Sequence, residues 1–182
     1  MKKAVITAVA LTLVACMAIG GTLAYLMDST GPVTNTFTAG SVDISLVETK
    51  TDFKMIPGNK IEKDPKVTVT ADSENCWLFV QVKEENVANY LEYSIDTSKW
   101  TRLESGVYYI KVDTAEEKNV AFSVLTGDQV AVKTSVDKTM LDAVKAGTVT
   151  PKLTFKAFAV QLDNFDTPQA AWEQIPSGEK LS

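Results

Sequence analysis

The chain has 182 residues, with 18 lysines and arginines against 23 aspartates and glutamates, a formal net charge of −5, and no histidine. The acidic balance disfavours binding to nucleic acid or to anionic lipid, because like charges repel. The lack of histidine excludes Ser-His and Cys-His catalytic pairs and histidine-based zinc sites.

The amino-terminal segment has the pattern of a secretory signal peptide. Lys2 and Lys3 precede an uncharged apolar run over residues 4–19, which is followed by two glycines instead of a basic flank. The run is marginal for crossing about 30 Å of hydrocarbon, since that needs about 20 apolar residues. We therefore expect cleavage and export, with contact to the membrane only through the uncleaved signal.

The expected cleavage site precedes Tyr25, because Thr22 and Ala24 are small residues at the −3 and −1 positions. This predicts that residues 1–24 are removed. The residues before Cys16 also match the loose pattern of a lipoprotein box, in which the acylated cysteine becomes the first residue. That alternative would tether the protein to the membrane.

Cleavage before Tyr25 would leave 16 basic and 23 acidic residues, a formal charge of −7, and one cysteine. Cys76 lies in an apolar run, so we expect it to be buried and to pack as a small apolar residue. The remaining length fits one domain, which we assign to residues 41–182.

From residue 41 onward, apolar and polar residues mostly alternate with a period of two, which is typical of half-buried strands. Turn-forming residues interrupt the pattern between the runs. The runs lie at residues 42–46, 67–69, 77–84, 107–112, 120–125, 129–136 and 150–162. Together they predict an all-β fold, an antiparallel jelly-roll-like β-sandwich of roughly eight strands.

Helical patterns are few. Residues 136–147 have apolar residues at helical spacing and end in a glycine, and residues 167–175 begin with a capping threonine followed by a proline. Residues 85–90 are a candidate for one further turn. We therefore expect two or three short helices at the edges of the sandwich.

The segment before the domain predicts a separate strand. Val33, Asn35, Phe37 and Ala39 share one phase of the alternation, and the apolar phase shifts by one residue at Gly40. Because such a shift moves every side chain to the other face, Gly40 is the expected hinge between two strands. The earlier strand, within residues 25–40, pairs either with its own domain or with the sheet edge of another molecule.

Two short elements resemble the amino-terminal signature of the TasA/camelysin family. Its members carry G-T-x-A-[YF]-[FL]-x-D at a site cut by a SipW-type signal peptidase, followed by N-x-F-x-A-G-x-[VL]-[DN]-[LI]. The matching residues here are Gly21, Thr22, Ala24, Tyr25, Asp28, Asn35, Phe37, Ala39, Gly40, Val42, Asp43 and Ile44. The resemblance covers about thirty residues.

The resemblance implies a jelly-roll subunit of extracellular fibres, secreted to the biofilm matrix or the cell surface. It implies assembly by donor-strand exchange with a copy of the chain or a related secreted subunit. The donor would be residues 25–39. Because proline cannot donate to a strand ladder, the pair Gly31-Pro32 would restrict the donor to the part that begins at Val33.

Camelysin is described as a metalloprotease, so the resemblance also raises an enzymatic alternative. The chain lacks the His-Glu-x-x-His motif, and we expect no catalysis and no cofactor. Asp163, Asn164 and Asp166 offer three oxygen ligands, which makes them weak calcium candidates in a segment shorter than a calcium loop.

A further alternative is a secreted or surface module that binds a glycan or a protein. Six aromatic side chains are candidates for a stacking platform, although aromatic residues on alternating strands more often belong to a core. Adjacent Tyr108 and Tyr109 must face opposite ways if they lie on a strand. The six are Trp77, Tyr90, Tyr93, Trp100, Tyr108 and Tyr109.

Overall fold

The computed structural model describes residues 41–49 and 54–181, which belong to one unit spanning Gly40–Ser182. The predicted signal peptide, its cleavage site, Cys16, the candidate donor strand and the hinge at Gly40 lie outside the described residues. The described strands are β1 (Ile44–Val47), β2 (Lys60–Glu62), β3 (Lys66–Val69), β4 (Cys76–Glu85), β5 (Leu91–Glu92), β6 (Thr101–Glu104), β7 (Val107–Val112), β8 (Ala121–Ser123), β9 (Gln129–Val132) and β10 (Lys152–Gln161). The described helices are α1 (Lys138–Lys145) and α2 (Pro168–Gln174).

The strands form three antiparallel sheets, which confirms the predicted all-β class. Their orders are β1-β3-β8, β10-β4-β7-β6 and β2-β9-β5. The two α-helices among the described residues are short, with eight and seven residues. Both agree with the helical patterns of the sequence, and each covers part of the sheet surface.

Two of the three sheets continue into each other. The Lys63 N–H donates to the Asp128 carbonyl at 2.9 Å, and the Val124 N–H donates to the Pro65 carbonyl at 2.9 Å. These bonds bridge the gap between the β2–β9 and β3–β8 ladders, so the segment from β2 to β3 runs along the segment from β8 to β9. A sandwich of two layers results, and each layer has four strands if β2 with β3 and β8 with β9 are each counted as one.

The inner core fills the space between the two layers. Cys76 is fully buried there, as expected, and burial raises the pKa of its thiol to about 11. Trp100 is also buried, and its indole N–H donates to the Ser123 carbonyl at 2.9 Å, so the polar atom is satisfied. The buried members of the inner core are Val67, Val69, Cys76, Leu78, Val80, Val82, Ile95, Trp100, Ile110, Val112, Phe122, Val124, Leu125 and Val130.

Helix α2 forms an outer cluster on the opposite face of the β10-β4-β7-β6 sheet. Thr167 caps the helix by accepting from the Ala170 N–H at 3.3 Å, and Pro168 occupies the first helical position. Trp172 packs its ring 5.3 Å from that of Phe79. The buried members of the outer cluster are Trp77, Phe79, Val107, Ala171, Trp172 and Ile175.

Helix α1 packs on the β2-β9-β5 sheet. Asp137 caps it by accepting from the Met140 N–H at 2.8 Å. Its partly buried residues Met140, Leu141 and Val144 pack against a third small cluster of buried residues. The members of that cluster are Tyr90, Val132 and Val136.

The turn between β6 and β7 requires a glycine for two reasons. Gly106 has a φ of +72°, and a Cβ atom at this position would lie 2.7 Å from the Val82 carbonyl oxygen. Gly147, after α1, has a similar φ of +73°, but a Cβ atom there would meet no other atom within 4 Å. Both glycines therefore have a positive φ that favours glycine, and only Gly106 also lacks room for a Cβ atom.

We expect Gly106→Ala to lower the free energy of unfolding by about 3 kcal/mol. The cost has two parts, because alanine is strained in a left-handed backbone conformation and its Cβ atom would clash with the Val82 carbonyl oxygen. The matched variant Gly147→Ala should lower the free energy of unfolding by only about 1 kcal/mol, because it introduces the backbone strain without a clash. Urea denaturation of both variants measures the difference. Equal losses would show that the close approach at Val82 is unimportant.

Candidate strand-pairing edge

Strand β10 is much longer than the other edge strands of the described sheets. It has ten residues, whereas the other edge strands β1, β2, β5, β6 and β8 have two to four. Proteins commonly protect sheet edges with short strands, prolines or bulges. Strand β6 has a register shift between Arg102 and Glu104, but β10 has neither a shift nor a proline.

The pairing of β10 with β4 determines which backbone groups face outward. The Leu162 N–H donates to the Asn75 carbonyl at 2.8 Å, in line with the ten-residue register between the strands. Since hydrogen-bonding direction alternates along an antiparallel ladder, the even-numbered residues of β10 bond toward β4. The residues whose N–H and C=O groups point to the free side are Leu153, Phe155, Ala157, Ala159 and Gln161. We call this row of groups the β10 edge.

Both faces of β10 carry apolar side chains, and one of them also carries Lys152, Thr154 and Lys156. Leu153, Phe155, Ala157 and Ala159 pack against the inner core from one face. Phe158 and Val160 pack against the outer cluster from the other face. A strand that paired with the β10 edge would therefore extend a sheet that is covered on both sides.

Strand β1 runs beside the β10 edge without pairing with it. Cα atoms of the two strands lie within 8 Å of each other, but they belong to different sheets. A groove of about 430 Å³ lies between the end of β1 and the start of β10. It is lined by Leu46, Glu48, Lys63, Pro65 and residues 152–155.

Lysine 63 supplies positive charge at the wall of this groove. The Lys63 Nζ lies 2.5 Å from the Glu48 Oε1 and 5.4 Å from the centroid of the Phe155 ring. The ammonium group thus contacts both β10 and the segment that ends β1. It provides an electrostatic contact between two strands that share no ladder.

A carboxylate fixes the end of β1 to the corner between β2 and β3. Asp64 accepts from the Thr49 hydroxyl at 2.5 Å and from the Thr49 N–H at 2.9 Å. The hydroxyl bond is the main reason that the pKa of Asp64 is lowered from its ordinary value of 3.8, and the nearby Lys66 adds to the effect. Asp64 therefore holds β1 in place most firmly while it is ionised.

The structure places the calcium candidates on the surface. Asp163 and Asn164 lie in a 3₁₀ turn after β10, and Asp166 follows the turn. Within the described part of the chain, no group of three or more His, Cys, Asp or Glu residues is arranged to hold a metal ion. Calcium binding at these residues stays a prediction.

The six aromatic candidates divide between core and surface. Trp77, Trp100 and Tyr90 are buried. Tyr109 packs edge-on against Trp77 with 5.8 Å between ring centroids. Tyr93 and Tyr108 line one cavity together, on the other face of the sheet from Tyr109, as the alternation on β7 predicts.

The lowered pKa of Asp64 predicts a pH dependence of stability. In the folded state, Asp64 binds a proton less readily than it does in the unfolded state. The stabilisation that the ionised Asp64 carboxylate provides is therefore present above about pH 4, and it is lost as the pH falls through the pKa of Asp64 in the folded state. We expect Asp64→Asn to reduce the change in urea midpoint between pH 6 and pH 3. The variant Thr49→Ala, which removes the hydroxyl donor and keeps the carboxylate, should reduce the change as well. Identical pH profiles for wild type and Asp64→Asn would contradict this assignment.

No helix within residues 41–49 and 54–181 is long and apolar enough to cross a membrane.

Comparison with known proteins adds no family assignment. The chain matches no protein-family model, and no curated protein and no solved structure is significantly similar to it.

Proposed function

We propose that this protein is an exported structural subunit of extracellular fibres, in a biofilm matrix or on the cell surface. A strand from the segment before the domain of one subunit pairs with the β10 edge of the next. The partner is a second copy of this chain or a related secreted subunit, and the role involves no catalysis. The observation that supports the proposal is the ten-residue, bulge-free edge of β10, which has apolar side chains on both faces.

The candidate donor is shorter than the acceptor edge and would cover about two thirds of it. At about 3.3 Å per residue, the candidate donor at residues 33–39 spans about 23 Å and β10 about 33 Å. Each added backbone hydrogen bond contributes about 0.5–1.5 kcal/mol net. Pairing of this kind gives affinity through the main chain, while alternate side chains such as Val33 and Phe37 give specificity by filling pockets.

Insertion of a donor between β1 and β10 requires these strands to separate. Two strands on either side of a third lie about 9.6 Å apart, whereas Cα atoms of β1 and β10 lie within 8 Å. Strand β1 has only four residues and is anchored at its end by Asp64. The displacement would strain the four-residue ladder to β3 and the bonds from Thr49 to Asp64.

Processing belongs to the same proposal. A SipW-type signal peptidase would cut before Tyr25 and release the donor segment next to its new amino terminus. Acylation at Cys16 is the alternative, and it would tether the donor to the membrane. Mass spectrometry of the exported protein distinguishes the two, since one form begins at Tyr25 and the other at a lipidated Cys16.

The donor segment is tested by comparing residues 25–182 with residues 41–182. We expect filaments in negative-stain electron microscopy from the longer form only, because the shorter form lacks the donor strand. Circular dichroism should give the same strand content for both, which controls for folding. Filaments from both forms, or from neither, would remove the donor-strand mechanism.

The acceptor edge is tested with a proline. Ala157→Pro removes an N–H that points to the free side of β10 and leaves the ladder with β4 intact, so we expect it to abolish filaments with little loss of stability. Lys60→Pro is the matched control on edge strand β2. The Val132 N–H donates to the Asn59 carbonyl at 2.8 Å, so by alternation the Lys60 N–H points away from β9. Filaments from folded Ala157→Pro protein would exclude β10 as the acceptor.

A further inference from the structure

A polar cavity of about 450 Å³ lies at the end of the β10-β4-β7-β6 sheet where β6 turns into β7. Its lining includes Lys83 and Glu84 from the end of β4, Tyr93 from the loop after β5, Arg102 from β6, Tyr108 from β7 and Leu181 near the C-terminus. We call it the tyrosine cavity. Its volume falls in the range of about 300–1,000 Å³ that is usual for small-molecule sites, but its walls are mainly polar rather than apolar.

Tyr93 and Glu84 form a fixed pair in the tyrosine cavity. The Tyr93 hydroxyl donates to the Glu84 Oε1 at 2.5 Å. Burial raises the pKa of Tyr93, and the bond to Glu84 and the charge of Glu84 raise it further. The phenol therefore remains a donor, and the second oxygen of the Glu84 carboxylate can accept hydrogen bonds from a ligand.

Tyr108 and Arg102 face each other across the β6–β7 ladder. They are direct partners in the register, so their side chains share one face of the sheet. The Arg102 Nε donates to the Glu104 carbonyl at 3.3 Å, and Arg102 forms no ion pair with any residue that the structure describes. Its terminal nitrogens are thus donors on a residue that lines the same cavity as Tyr108 and Glu84.

We propose that the tyrosine cavity binds hexopyranose units of a neutral polysaccharide. Sugar rings present apolar C–H faces that stack on tyrosine, together with vicinal hydroxyl groups that both donate and accept hydrogen bonds. Glu84 supplies an acceptor and Arg102 a fork of donors for such a pair of hydroxyls. The charges of Glu84 and Arg102 balance, and Lys83, which also lines the cavity, pairs with Glu85 at 3.5 Å, so the site has no net charge and fits a neutral ligand. The polar walls disfavour a purely apolar ligand.

The site is tested with the full chain and three defined probes, which are cellohexaose, laminarihexaose and chitohexaose, by isothermal titration calorimetry. We expect saturable binding of at least one probe. Arg102→Ala and Glu84→Gln should each weaken that binding about tenfold, since a hydrogen bond to a charged group is lost or weakened in each. Lys138→Ala, on the exposed face of α1, is the control and should bind as wild type does.

Circular dichroism and thermal unfolding of each variant show whether a loss of binding reflects a loss of folding. Titration of Ala157→Pro separates this proposal from the fibre proposal, because that variant lacks the acceptor edge and keeps the tyrosine cavity. The absence of binding to all three probes would overturn the sugar site. So would binding that both Arg102→Ala and Glu84→Gln leave unchanged, or tighter binding of polygalacturonate than of every neutral probe.

Discussion

Strand β4 has apolar side chains on both faces, and the two clusters of the sandwich pack against its opposite sides. Residues 76–80 are all buried, with Leu78 and Val80 in the inner core and Trp77 and Phe79 in the outer cluster. A strand of this kind must lie inside a sheet with a cover on each side. One layer of strands supplies the first cover and helix α2 supplies the second. The neighbours of β4, which are β7 and β10, are then covered in the same way.

This arrangement explains why β10 differs from the other edges. It pairs with β4 along its whole length, so it is long, and it shares the two covers of β4, so it has apolar side chains on both faces. Edge strands are commonly shortened, bent or charged because an open row of backbone groups invites pairing with another chain. Strand β10 is neither shortened nor bent, and its charged residues are Lys152 and Lys156. A long, regular edge of this kind is a liability for a protein that works alone. It is an asset for one that associates through strands.

Local patterns in the sequence predict the long strands well. The strand at residues 107–112 has the bounds that the sequence predicts, because strict alternation follows the turn at Gly106. Strands β2, β5 and β6 are not predicted, since their short segments Lys60–Glu62, Leu91–Glu92 and Thr101–Glu104 are rich in charged residues. Their strand conformation comes from pairing with β9 and β7, which local propensity does not reveal.

The candidate sites depend even more on long-range pairing. The run at residues 150–162 predicts a strand, but its position at an edge follows from a ladder to residues about 75 positions earlier in the chain. Tyr93 and Tyr108 are recognisable in the sequence as aromatic candidates, whereas their meeting with Glu84 and Arg102 requires the fold of four segments. The opposite orientations of Tyr108 and Tyr109 can be predicted, because alternation on a strand is a local property.

The buried thiol of Cys76 has a consequence for any fibre that these subunits build. It is the one cysteine after the predicted signal, it is fully buried, and its high pKa keeps it in the unreactive thiol form. Subunits processed before Tyr25 then have no reactive sulfur with which to form covalent links to one another. Such a fibre would be held together without disulfides, and its strength would not change with the redox state of the surrounding medium.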